Sequence, residues 1–239
     1  GGTKFAPRQD NNWYWNAKAT WRLTETMKLN YSFNQSVAIN QNSSSLQTNL
    51  EYIEPTPGYQ YEYQEILDNA GTYTQNSMFN TISWTHTTSP KSFYEIKLNN
   101  FFTQLRQDAN GVNWTDYTEP FDVTKPPFQY YYIDSLRTGL IPGNGFYDVG
   151  SPYTWHDHFV NEYSAKFDYV YNFTPKSKLK AGVEASFQEM QLVDIYQPWI
   201  KPFGLNNDAY QVYPSFGDIY GQHSITFKGM ILNYGLRLD

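Results

Sequence analysis

Cysteine is absent from this chain of 239 residues. That absence excludes disulfides, thiolate zinc sites and a cysteine nucleophile. No apolar run reaches the about 18 residues that a membrane-spanning helix needs. Charge is sparse: Asp, Glu, Lys and Arg make up 17% of the chain, and the formal net charge is −6. Without a basic stripe, no nucleic-acid partner is expected. The opening GGTKFAPRQD lacks the basic-then-apolar order of a secretory signal. Neither a Gly-x-Ser-x-Gly elbow nor a paired-carboxylate segment stands out. No catalytic residue is therefore assigned, no cofactor is expected, and the chain reads as a non-enzyme.

What is abundant is aromatic: 22 Tyr, 16 Phe and 7 Trp, or 19% of the residues. A mean hydropathy of −0.66 would normally accompany a soluble protein. Membrane β-barrels are the exception, because only alternate residues of each strand touch lipid and the long loops are polar. Hydropathy alone does not separate the two.

Period-two alternation decides the secondary structure. In WYWNAKATWRLTETMKLNYSFNQSVAI, Trp13, Trp15, Ala17, Ala19, Trp21 and Leu23 alternate with Tyr14, Asn16, Lys18, Thr20 and Arg22. After Thr24-Glu25-Thr26 the pattern resumes, with Met27, Leu29, Tyr31, Phe33, Val37 and Ile39 against Lys28, Asn30, Ser32, Asn34 and Ser36. This is strand, turn, strand. Similar runs at about 78–87, 93–107, 159–173, 178–188, 219–227 and 231–239 give about eight strands. The run 93–107 is imperfect, since Phe93, Phe101 and Leu105 sit in its polar set. Short links at 24–26, 88–91, 174–177 and 228–230 alternate with long ones at about 40–77, 108–157 and 193–218. Up-and-down threading then puts every short turn at one end and every long loop at the other, as in outer-membrane barrels. The stretch 13–23 has 11 residues, roughly 36 Å of strand, which at a tilt of about 40° spans roughly 28 Å of bilayer. The expectation is an all-β, antiparallel up-and-down transmembrane barrel. Its Trp/Leu/Phe face meets lipid, and its Lys/Asn/Ser/Thr face lines the lumen.

Several segments carry chemistry. In WHDHF, His156 and His158 share a strand face, where two imidazoles can hold one metal. The plainer reading is a polar loop-to-strand junction, and no metal site is assigned. The loops YIEPTPGYQYEYQEILDNAGTY, NWTDYTEPFDVTKPPFQYYYIDSL and YQPWIKPFGLNNDAYQVYP combine aromatics with Asn and Asp. Such residues stack on and hydrogen-bond small ligands, or they pack on one another to seal a barrel mouth. No individual ligand-binding residue is assigned. Asn233, Gly235, Arg237 and Asp239 alternate on the lumenal face, where Arg237 and Asp239 can pair with each other or contact a plug.

The final stretch, DIYGQHSITFKGMILNYGLRLD, resembles TonB-dependent outer-membrane receptors, particularly those of Bacteroidetes type. Tyr220 and Gln222 match a Tyr-x-Gln strand, Lys228-Gly229 a turn, and Asn233, Gly235, Arg237 and Asp239 an Asn-x-Gly-x-Arg-x-Asp strand. ATWRLTETMKLNYSF also resembles a strand-turn-strand of these barrels. His223, Ser224 and Thr226 stand where the family often carries charged residues. The resemblance implies ligand uptake through a 22-stranded bacterial outer-membrane barrel. A plug coupled to the TonB energy-transducing complex and an extracellular small ligand would be its partners. Residues 1–239 are then one barrel region without the plug, about a third of the wall. The alternatives are a small closed outer-membrane barrel and a soluble β carbohydrate-binding module.

Overall fold

The computed structural model of the chain describes residues 10–41, 63, 65–123, 131–134, 137–140 and 146–239. Its strands are β1 (Asp10–Arg22), β2 (Met27–Asn40), β3 (Thr72–Ser89), β4 (Ser92–Asp108), β5 (Tyr131–Asp134), β6 (Arg137–Leu140), β7 (Thr154–Thr174), β8 (Ser177–Tyr196), β9 (Asn206–Val212), β10 (Ser215–Phe227) and β11 (Met230–Leu238). One antiparallel sheet runs β1-β2-β3-β4-β7-β8-β10-β11. Strand β9 pairs with the upper part of β8, beyond the stretch that β10 occupies. β5 and β6 form a separate hairpin. Among the described residues β1 pairs with β2 alone and β11 with β10 alone, so the sheet is open and up-and-down. A small closed barrel made from these strands is thereby ruled out.

All eight expected strands are present, and several are longer than their alternation suggested. β3 begins at Thr72 rather than near Met78, and β8 continues to Tyr196 rather than ending near Gln188. In those extensions both faces are mixed in polarity, so period two fades while backbone pairing continues. The hairpin β5–β6 and strand β9 were not anticipated, because YYID, RTGL and NNDAYQV carry no alternating apolar set.

Local chemistry closes the short turns. Thr24 Oγ1 accepts from the backbone N–H of Met27 at 3.0 Å, Ser89 Oγ from Lys91 N–H at 3.2 Å, and Thr174 Oγ1 from Lys176 N–H at 3.2 Å. Two of these turns read Ser-Pro-Lys-Ser and Thr-Pro-Lys-Ser, with proline presetting the first corner. At the fourth turn Lys228 and Gly229 both have positive φ, 49° and 84°, which suits the right-handed twist of a two-residue hairpin.

Residues directly opposite across an antiparallel pair share a face. The register therefore extends the two sets across the whole sheet. One cross-sheet row holds Lys28, Thr85, Glu95, Asp168, Gly182, Tyr220 and Arg237. The adjacent row on the other face holds Trp21, Leu29, Trp84, Ile96, Phe167, Val183, Ile219 and Leu238.

The rows do not run parallel to the line of turns. β2 pairs with β1 from Lys28 onward, whereas β11 opens at Met230, seven residues before the Arg237 that shares the row of Lys28. The short-turn end thus slides seven residues over the six steps from β2 to β11. At about 3.3 Å per residue and about 4.8 Å between strands, the strands tilt by roughly 40° from the perpendicular to the line of turns.

The apolar face follows the same diagonal. It covers Trp13 to Trp21 on β1, Tyr163 to Phe173 on β7, Leu179 to Phe187 on β8 and Leu232 to Leu238 on β11. The stretch from Tyr163 to Phe173 spans 11 residues, about 33 Å along the strand and about 25 Å measured perpendicular to the turns. Beyond it the same face turns polar, with Asn76, Gln104, Asn161, Glu189 and Gln191. One island breaks the band. Asn80 and Asn100 lie on the apolar face, while Phe79 and Phe101 lie on the polar face. The Asn side chains are satisfied in a chain: Tyr31 Oη donates to Asn80 at 3.0 Å, and Asn100 Nδ2 donates to Asn161 at 2.9 Å.

Almost nothing covers the apolar face within the described residues. Ile219 is 58% exposed, Phe227 60% and Leu236 87%. The buried cluster lies instead at the long-loop end, where Ala109, Tyr117, Trp155 and Ile195 pack with Trp114, Val193 and Phe203.

Candidate functional site

The polar face carries a ladder of charge pairs. Glu95 meets Lys97 at 2.8 Å, Lys166 meets Glu184 at 2.6 Å, and Lys180 lies 3.7 Å from Asp168. At its centre Tyr220 crosses two strands: its hydroxyl donates to Asp168 on β7, and its ring lies over Gly182 on β8. A Cβ at position 182 would sit 2.7 Å from Asp168 Oδ1 and 2.8 Å from Tyr220 Cε1, so glycine makes the room. The ammonium groups of Lys166 and Lys180 lie 5.8 and 5.4 Å from the Tyr220 ring centre. Exposed ion pairs of this kind each contribute little stability. Together they hold long side chains against the sheet in one arrangement.

The residues expected as a lumenal motif fall beside this ladder. Arg237 binds Asp239 at 2.6 Å through Nε and Asp218 at 2.9 Å through a terminal nitrogen. Asn233 stands opposite Ser224 and lines a shallow groove of about 420 Å³ with Lys166, Lys180, Tyr220, Gln222 and Arg237. Alternation placed these residues on one face, whereas the Asp218 partner, from a different strand, had no local signal. The Tyr220–Gly182–Asp168 contact was also missed. Its trace in the sequence is a glycine in the polar set between Lys180 and Glu184.

The upper ends of the strands form a packed cap. Tyr117 Oη accepts from Ala109 N–H at 2.7 Å, Ser151 N–H donates to Thr118 O at 2.9 Å, and Lys201 Nζ donates to Thr115 O at 2.9 Å. Burial pushes the Tyr117 phenol well above its ordinary pKa. Tyr63 Oη donates to Ser151 O at 2.9 Å and Asn69 Nδ2 to Gly150 O at 2.7 Å, joining connections distant in sequence. The described parts of the long connections therefore pack on one another. Much of the first two quoted loop sequences lies outside the described residues.

His156 is 1% exposed, and neither ring nitrogen has a hydrogen-bond partner. Its Nδ1 lies 3.6 Å from Asp194 Oδ2, and the His158 ring stands edge-on with centroids 6.2 Å apart. Among the described residues no group of three or more His, Asp or Glu side chains is placed to hold a metal ion.

The polar face also carries apolar side chains, among them Phe93, Leu105, Val160 and Phe216 and one cross-strand aromatic pair. Phe79 and Phe101 face each other across β3 and β4 with ring centroids 6.4 Å apart at 63°. They remain 40% and 38% exposed amid amides and carboxylates. Comparison with protein-family profiles gave no match to this chain, and comparison with curated proteins gave none.

Proposed function

We propose that this sheet is part of the wall of a bacterial outer-membrane β-barrel, and that the barrel is a TonB-dependent transporter taking up a small extracellular ligand. One observation carries the membrane reading: the uncovered apolar face forms a diagonal band. Its roughly 40° slant, and its height of about 25 Å on β7, match the strand tilt and apolar belt of spanning barrels. A water-soluble sheet has no reason to keep an apolar stripe oblique to its own strands. Exposed apolar patches on soluble monomers rarely exceed a few hundred Å², and this band crosses eight strands. Trp13, Trp15 and Phe187 near one margin, with Tyr171, Phe173 and Phe227 near the other, support aromatic girdles.

The open edges support a larger barrel. Unpaired backbone groups in hydrocarbon cost several kcal/mol each, so β1 and β11 must meet further strands. The TonB-dependent assignment is supported by Tyr220, Gln222, Lys228-Gly229 and Asn233-x-Gly-x-Arg-x-Asp239, together with the one-sided long loops.

Single-cysteine labelling in an otherwise cysteine-free background tests this, and none of these 239 residues needs replacing to reach that background. In outer membranes, Asn99→Cys reacts with a hydrophilic maleimide and the neighbouring Leu98→Cys does not. Equal labelling of both, or fractionation away from the outer membrane, sinks the barrel reading.

A further inference from the structure

We infer that the short-turn end of the sheet binds anionic phospholipid headgroups through Lys91, Lys176 and Lys228. Charge is divided unevenly along the strands. Within two residues of the four short turns lie Arg22, Lys28, Lys91, Lys176, Lys178 and Lys228, against Glu25 alone. The described parts of the long connections carry mostly acids, Glu65, Asp68, Asp116 and Glu119 among them. The chain as a whole stands at −6, so this basic end runs against the composition. All six cations are exposed, and none forms an ion pair among the described residues.

The turns hold their lysines in a line. Lys91 O accepts from the Asn172 N–H at 2.7 Å, Lys176 O from the Thr226 N–H at 2.7 Å, and Thr26 O from the Thr87 N–H at 2.9 Å. Each tip is thus braced by the neighbouring hairpin, and the three lysines follow one margin of the sheet. Exposed apolar residues stand beside them on the apolar face: Leu23, Phe173 and Phe227. Lys228 Nζ lies 5.3 Å from the Phe227 ring centre. A soluble polyanion would pair with the lysines and leave these apolar groups in water. A phospholipid serves both at once, with its phosphate at the ammonium and its acyl chains along the rings. Phosphates of a glycolipid at the opposite end would meet the acidic connections instead.

The inference rests on the barrel reading, which sets this margin at the headgroups. Its test reconstitutes the full-length protein in phosphatidylcholine vesicles with trace spin-labelled phosphatidylglycerol or spin-labelled phosphatidylcholine. The fraction of each label immobilised at the protein is then compared. The expected result is a preference of about fivefold for phosphatidylglycerol at low salt, weakened at high salt. Lys91→Gln/Lys176→Gln/Lys228→Gln should remove most of that preference, Lys91→Arg/Lys176→Arg/Lys228→Arg should keep it, and Lys201→Gln at the long-loop end should leave it unchanged. Unchanged heat-modifiable migration on gels shows that the variants still fold. No preference in the parent, a preference that survives the glutamine variant, a stronger preference for lipopolysaccharide, or binding of polyglutamate without any lipid preference overturns the inference. The Leu98→Cys and Asn99→Cys labelling reports separately on the barrel, so failure of the headgroup site and failure of the wall are distinguishable.

Discussion

At the scale of single residues, Gly182 is the position where space is most clearly rationed. Any side chain there meets Asp168, the Phe167 carbonyl and the Tyr220 ring within 2.8 Å. Gly182→Ala is expected to cost about 1–3 kcal/mol through overpacking. Gly221→Ala, where nothing lies within 4 Å of the new Cβ, should be far milder. Urea unfolding from lipid vesicles distinguishes them, and equal midpoints would refute the packing argument. The same contact marks a limit of sequence reading. That Gly182 and Tyr220 belong to the polar set follows from alternation alone. That they touch requires the β8–β10 register, which no local pattern encodes. Phe79 and Phe101 are visible beforehand only as apolar residues in polar positions, and become a pair once β3 and β4 are in register.

At the scale of elements, the cap over Trp155 and Ile195 depends on a buried phenol. Tyr117 is protonated in the folded cap, where burial raises its pKa, and it accepts the Ala109 N–H. An unfolded loop ionises near the ordinary tyrosine pKa of about 10. The cap's stability is therefore complete below that pH and falls as pH rises above it. Hydrogen exchange of Ala109 should stay slow at neutral pH and accelerate steeply above about pH 10. Tyr117→Phe should show fast exchange already at neutral pH, since the buried N–H loses its acceptor at a cost of about 1–3 kcal/mol. Slow exchange in that variant would remove the phenol from the account. Strands and short turns were legible in advance because alternation, Ser/Thr hydroxyls, Pro90, Pro175 and Gly229 all act within a few residues. The upper reaches of β3, β7 and β8, and all of β9, were not, because they extend by backbone pairing with mixed side chains on both faces.

At the scale of the whole molecule, the membrane reading proposed above gives the uncovered apolar face an apolar medium. In aqueous buffer the chain is expected to precipitate or associate, and in detergent to give a strand-rich circular dichroism spectrum that survives mild protease. A monodisperse, folded chain in plain buffer would count decisively against the membrane reading. The slant of the sheet could not be anticipated from any one strand. It accumulates from six successive pairings, each displaced about one residue on average. On the barrel reading proposed above, the uneven connections also fix which end has to cross: the short turns stay on the periplasmic side and every long connection is carried to the outside. A bilayer opposes the passage of unpaired peptide groups, so transfer of the chain between β4 and β7 is the costly step, and two-residue tips such as Lys228-Gly229 are spared it.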